Sequence, residues 1–218
     1  MSQQKGANKA GWSIFDEVFY RGVMAGNPAF DTRKSLEWYY DFIRKNVNTA
    51  NPFKKTQDWF QPVVKPGYMY IYKYHAKYEK ELPYWDAVPL VFPFKDEGKT
   101  FLALNLHYAP PKARILIMKM LYRFISDTKM DEKTKLRLSY AKLQRLAKFD
   151  YFKPLIKRYL KDHVRSLFVQ VPIRYWPVAA FLPIAKWQKQ TANTVYRDFN
   201  KGTTTKQNKI IKVRKNAV

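Results

Sequence analysis

The feature that most narrows the possible folds is a change of hydrophobic period at Pro66-Gly67. Before it, Leu36, Tyr40, Ile43 and Val47 recur at spacings of four, three and four, which places them on one face of a helix starting near Thr32. Asp31 stands where it can cap that helix, and Glu37, Asp41, Arg44 and Lys45 take the remaining faces. After Pro66-Gly67, Tyr68, Tyr70, Tyr72 and Tyr74 alternate with Met69, Ile71 and Lys73, the period of two of a strand with one aromatic face. The chain must therefore join helices to a sheet. The stretch between them, residues 48–67, is rich in proline and turn formers and reads as a loop.

Two further strands are expected at 88–94 and 100–108, after the turns Leu82-Pro83-Tyr84-Trp85-Asp86 and Lys95-Asp96-Glu97-Gly98-Lys99. Connections this short join antiparallel neighbours. Pro110-Pro111 then opens a helix from 112 to about 126, with Ile115, Met118, Leu121 and Tyr122 inward. Asp131 caps another, to about Lys148, on the stripe Leu136, Tyr140, Leu143 and Ala147. Phe152, Leu155, Ile156, Tyr159 and Leu160 predict a third helix reaching about His163. From 166 to 173, Leu167, Val169 and Val171 alternate with Phe168 and Gln170, a strand expected to rejoin the same sheet. The fold expected is α+β: a small antiparallel β-barrel, SH3-like or a curled meander, with a helical insertion at about 110–165, flanking helices and an extended basic C-terminal tail. The corresponding segments are an N-terminal arm (1–31), a helix and loop (32–65), the barrel core (66–198) and the tail (199–218).

Charge then narrows the partners. Residues 1–110 hold 15 Lys/Arg against 11 Asp/Glu, a net +4, whereas residues 111–218 hold 26 against 6, a net +20. Solubility asks for a net charge of only about 2 to 8 on a small domain, so the C-terminal half points to a polyanion, nucleic acid first. The expected phosphate contacts are Lys142, Arg145, Lys148, Lys153, Lys157, Arg158, Lys161 and Arg165 on the helical faces. Lys206, Lys209, Lys212, Arg214 and Lys215 in the tail would add to them. No helix-turn-helix head, zinc finger or RNA-binding sheet signature is present, so sequence-specific base readout is not expected. With 46% hydrophobic and 17% aromatic residues the chain is not a disordered polycation. It has no cysteine, which removes disulfides and thiolate chemistry and favours a reducing compartment. The longest apolar stretch, residues 175–185, is interrupted by Pro177 and Pro183 and falls short of the roughly 20 residues a bilayer requires. No secretory pattern opens the chain, so no membrane partner and no export are expected.

Other chemistry reads more weakly. The strand tyrosines can stack on unpaired bases, but packing in the core is the favoured role. Asp86, Glu81 and His107 near the strand ends are the residues a metal-dependent nuclease would use. Asp86 is instead expected to accept backbone N–H bonds in a turn, and His107 to be a hydrogen-bonded structural residue. The three histidines are too scattered for a metal cluster, and no phosphate-cradling glycine loop or nucleophile elbow is present. No catalytic residue, metal or cofactor is assigned. Trp176, Phe181, Leu182, Pro183 and Trp187 are read chiefly as core, with a docking surface as the lesser possibility.

Several segments in order resemble one family of virion proteins of T-even-type tailed phages, the DNA end protectors. They are Pro66-Gly67 before the aromatic strand, Leu82-Pro83-Tyr84-Trp85-Asp86 before Pro89-Leu90-Val91, residues 101–108 (FLALNLHY), and Trp176 before Phe181-Leu182-Pro183. The resemblance implies a non-enzymatic protein, made in the host cytoplasm and carried in the virion, that sits on the ends of packaged double-stranded DNA and blocks exonuclease. The alternative from a different class is a structural neck, tail or baseplate component whose basic half docks on acidic virion proteins such as a portal.

Overall fold

The structure, a computed structural model, describes residues 12–27, 33–48, 53, 55–125 and 127–201. Its strands are β1 (Phe60–Gln61), β2 (Met69–Ile71), β3 (Trp85–Asp86), β4 (Leu90–Asp96), β5 (Thr100–Asn105), β6 (Ile156–Leu160), β7 (Phe168–Val171) and β8 (Trp187–Gln188). Its helices are α1 (Ile14–Met24), α2 (Arg33–Asn46), α3 (Pro111–Ile125), α4 (Glu132–Ala147), α5 (Trp176–Phe181) and α6 (residues 192–201). Six strands make one antiparallel sheet in the order β1-β7-β2-β4-β5-β6, and β3 pairs with β8 alone.

Strand alternation sends side chains into two separate cores. Met69, Ile71, Leu90, Phe92, Leu104, Val169 and Val171 point to one face of the sheet, where they pack with Phe15, Leu36, Tyr39, Ile117, Leu143 and Trp176 from the helices. Tyr70, Tyr72, Tyr74, Val91, Phe101, Ala103, Tyr159 and Phe168 share the other face and pack on one another. The second cluster exists because the sheet curls. Phe101 on β5 and Phe168 on β7 are separated by β4 and β2, about 14 Å in a flat sheet, yet their ring centroids lie 6.2 Å apart. Tyr72 touches both Phe168, at 4.9 Å, and Tyr159, at 5.7 Å.

The curl does not close into the expected barrel. Among the described residues β1 and β6 remain the two edges of the ladder. The chain leaving β6 crosses the open side with one isolated bridge, Tyr74 to Val164, instead of forming a strand there. It is held by His75 N–H to the His163 carbonyl (3.1 Å) and Arg165 N–H to the Lys73 carbonyl (2.8 Å).

The third basic helix is also corrected. Residues 156–160 are strand β6, flanked by the single 3-10 turns Lys153–Leu155 and Lys161–His163. Phe152, Leu155, Ile156, Tyr159 and Leu160 satisfy helical spacing, but Ile156 to Leu160 find a ladder on β5, from Leu104↔Ile156 to Thr100↔Leu160. A partner more than fifty residues away leaves no mark on local periodicity. The helical insertion is therefore α3 and α4, both as expected, with Asp131 Oδ1 accepting from Thr134 N–H at 2.8 Å. Helix α1 lies inside the stretch read as an arm, started by a capping box between Ser13 and Asp16. At the other end α6 runs to residue 201, and Phe199, read as the start of the tail, is buried with its ring 5.2 Å from that of Tyr151. Residues 1–11, the cap Asp31 and residues 202–218 lie outside the described residues.

Two contacts fix α4 on the sheet. The register between β4 and β5 shifts between Pro93 and Lys95, leaving Phe94 as the extra residue of a bulge, and the Tyr140 hydroxyl donates to the Phe94 carbonyl at 2.9 Å. Gly67, with φ +89°, passes so close beneath α4 that a Cβ would meet the Tyr140 Cβ at 3.2 Å.

Candidate nucleic-acid interface

Helix α4 has one face in the core, and its sequence then dictates what faces water. Leu136, Ser139, Leu143 and Leu146 are buried and fall within about 80° of helical arc. Lys133, Arg137, Arg145 and Lys148 fall in the opposite half, Lys142 stands at its edge, and the helix's one carboxylate, Glu132, lies in its first turn outside that half. Among the described residues Lys142, Arg145 and Lys148 make no ion pair, so their charge is uncompensated. They span about 9 Å of axis and about 120° of arc. Lys133 and Arg137 share this side of α4, though they are not among the expected contacts. Continuing the wheel set by Leu136 and Leu143 would have found them.

The remaining expected contacts are placed differently. The Lys153 Nζ pairs with Asp150 at 2.6 Å, Arg158 Nη1 with Glu97 at 2.6 Å, and Lys161 Nζ with Asp96 at 2.7 Å. Lys161 and the Gly98 amide hold the Asp96 carboxyl below its ordinary value. Exposed pairs of this kind are weak and screened by salt, so they do not lock the cations away from a phosphate. Lys157 is half-buried on β6, its Nζ 4.0 Å from the centre of the Tyr108 ring, and burial brings its ammonium down to about 8. Arg165 is exposed on the crossing, its guanidinium donating to the Asp162 carbonyl at 3.0 Å. The expected contacts thus divide into an unpaired α4 stripe, the ion-paired Lys153, Arg158 and Lys161, and Lys157 and Arg165, which make no ion pair among the described residues. Lys206, Lys209, Lys212, Arg214 and Lys215 lie outside the described residues.

Not all of the positive charge is on the surface. Arg114 of α3 is buried and gives its guanidinium hydrogens to the Ala109, His107 and Ala180 carbonyls and the Tyr196 hydroxyl, at 2.6 to 3.1 Å. It ties α3 to α6. The strand tyrosines are likewise taken up by structure, since Tyr70, Tyr72 and Tyr74 are all buried in the inner core. Burial pushes the Tyr70 phenol up to about 12. Trp176, Phe181 and Leu182 are core as well, and the Trp176 indole donates to the Val171 carbonyl at 2.9 Å.

The fold does bring Asp86 and His107 together. His107 Nδ1 lies 2.6 Å from Asp86 Oδ2, and Asp86 Oδ1 accepts the Val88 and Lys186 amides at 3.0 Å each. Both side chains are buried, while Glu81 is exposed in the turn before β3. Burial works against the Asp86 charge, but His107 and the two amides outweigh it and hold the carboxyl below its ordinary value. Burial lowers His107 in turn, leaving a neutral imidazole. A carboxylate only accepts, so Nδ1 carries the proton and Nε2, which has no partner among the described residues, is left as an acceptor. The pair joins β3, the loop before β8 and the turn Leu106–Tyr108. Its burial closes it to a DNA strand at the surface.

Across this whole arrangement, from α1 into α6, the model of the phage T4 terminal DNA protecting protein family matches residues 15–199. The chain belongs to that family. The family match takes in α4 with its cationic half, the curled sheet and the Asp86–His107 pair, and ends before the tail cations. No curated protein and no solved structure matches the chain. No helix of the described residues is long and apolar enough to cross a membrane.

Proposed function

We propose that this protein is a non-enzymatic virion component that binds duplex DNA through its phosphates, without reading sequence, and shields the ends of a packaged phage genome. The family description names protection of terminal DNA. The observation that supports the binding mode is the outward side of α4, with Lys133, Arg137, Arg145 and Lys148 on it, Lys142 at its edge and no carboxylate among them. Such a surface draws affinity from released counterions and stays indifferent to base sequence. A bound protein then blocks an exonuclease by occupying the place where the nuclease must start, which requires no chemistry, metal or cofactor of its own. The protein is made in the host cytoplasm and taken into the particle with the DNA.

The test is exonuclease digestion of linear duplex at low salt, with circular DNA as competitor. Protection of the linear ends, lost as salt rises from roughly 50 to 200 mM, is the expected result. Digestion at an unchanged rate under saturating protein would sink the reading. A second reading, a neck, tail or baseplate component, is favoured by the exposed Tyr20, Val23 and Met24 at the end of α1, apolar side chains open to a protein partner. Co-assembly with a portal or tail ring by a protein that ignores DNA would put it first.

A further inference from the structure

A duplex end differs from the interior in one respect that phosphate contacts do not detect: it exposes the flat, apolar face of its last base pair. A protein that prefers ends needs an aromatic surface where its cations hold the backbone. The described residues offer three exposed aromatic rings, Tyr20 (42% exposed), Tyr78 (53%) and Phe149 (60%). Tyr20 follows Asp16 and Glu17 by four and three residues on α1, where carboxylates repel phosphate, and Tyr78 sits where Lys77 and Lys80 alternate with Glu79 and Glu81, its ring already facing the Lys77 ammonium at 5.5 Å. Phe149 stands among cations. It follows Lys148 directly, and the spacings Lys142, Arg145, Phe149 continue the α4 stripe by three and four residues. Its adjacent carboxylate, Asp150, is paired with Lys153 at 2.6 Å.

The ring also stands on a fixed backbone. The Phe149 N–H donates to the Leu146 carbonyl at 3.0 Å, and its own carbonyl accepts the Phe152 N–H at 2.9 Å. Phe152 is buried in the core and anchors the turn from below. A phenyl group carries no polar atom that would explain its place in water, and it sits at the end of a row of uncompensated charge.

We propose that Phe149 is the end-recognition element: its ring stacks on the outermost base pair of a duplex end while Lys142, Arg145 and Lys148 hold the terminal phosphates. This rests on the DNA-end reading above and adds to it the contact that separates an end from interior duplex. Every base pair presents a π-face, so such stacking is blind to sequence.

The experiment uses the full chain and a blunt duplex carrying 2-aminopurine at either its terminal or an internal position, with relaxed circular DNA as competitor. The wild-type protein is expected to quench the terminal probe selectively and to prefer linear over circular DNA. Phe149→Ala is expected to abolish the terminal quench and lower the end preference by roughly 5- to 100-fold, the usual effect of removing one base-stacking ring. Binding to circular DNA and the thermal midpoint should stay unchanged, because the ring is exposed. Phe149→Trp should restore the quench. Retention of quench and end preference by Phe149→Ala overturns the proposal. So does a wild-type protein that binds linear and circular DNA equally, and that result leaves phosphate binding standing. A wild-type protein that binds neither DNA removes both readings together.

Discussion

Removing the α4 stripe should change how DNA binding responds to salt, by an amount the helix geometry sets. Lys142, Arg145 and Lys148 lie on one side of α4 and form no ion pair among the described residues. Each can therefore neutralise one phosphate. For duplex DNA the slope of log affinity against log salt is about −0.9 per neutralised phosphate, so the triple substitution to glutamine should make the slope shallower by about 2.7. Between about 50 and 200 mM salt, the wild-type affinity should then fall about 40-fold further than that of the variant. Glutamine is nearly as good a helix former as lysine or arginine, and these positions are at the surface, so circular dichroism and thermal unfolding should not change. Filter binding on one blunt duplex at four salt concentrations measures the slope. An unchanged slope with intact folding would refute the assignment of phosphate contact to α4.

Three more outcomes follow from the interior. As pH falls through about 6.5 the unfolded chain protonates His107 while burial keeps the folded imidazole neutral. The unfolded state then binds more protons, and stability present above pH 6.5 should decline by up to about 1.4 kcal/mol per pH unit. Asp86, held below its ordinary 3.8, adds its own loss only at still lower pH. Thermal midpoints between pH 7 and 5 follow this decline, and His107→Gln should make it shallower. Gly67→Ala forces a side chain onto φ +89° and against Tyr140, and urea unfolding should show a loss of about 1–3 kcal/mol. The Tyr72 hydroxyl is buried without a partner among the described residues, so Tyr72→Phe should be neutral or stabilising by about 1–3 kcal/mol, and a clear loss in the same assay would contradict that burial.

Helix α4 was legible in the sequence because it depends on local spacing. Asp131 as cap and Leu136 with Leu143 as the inner stripe fix α4, and once that inner face is known the cations must lie outside. The rest of the expected contact list was not legible, because Lys153, Arg158 and Lys161 meet Asp150, Glu97 and Asp96 only through the pairing of β5 with β6 and the local turns. The same holds for Arg114, one more basic residue by count, which in the fold lies in the interior bound to carbonyls.

What the sequence alone determined is the set of local periods: the helical stripes of α2, α3 and α4, the alternation that opens β2, and the gathering of positive charge in the second half of the chain. The periods follow from side-chain order within each segment, and in these segments no distant pairing overrode them. Only the tertiary structure decided that residues 156–160 pair as an edge strand, that the sheet curls over a tyrosine core without closing, and that Asp86 and His107 meet out of reach of solvent. Those outcomes depend on partners far apart in the chain, where hydrogen-bond ladders and burial outweigh local preference.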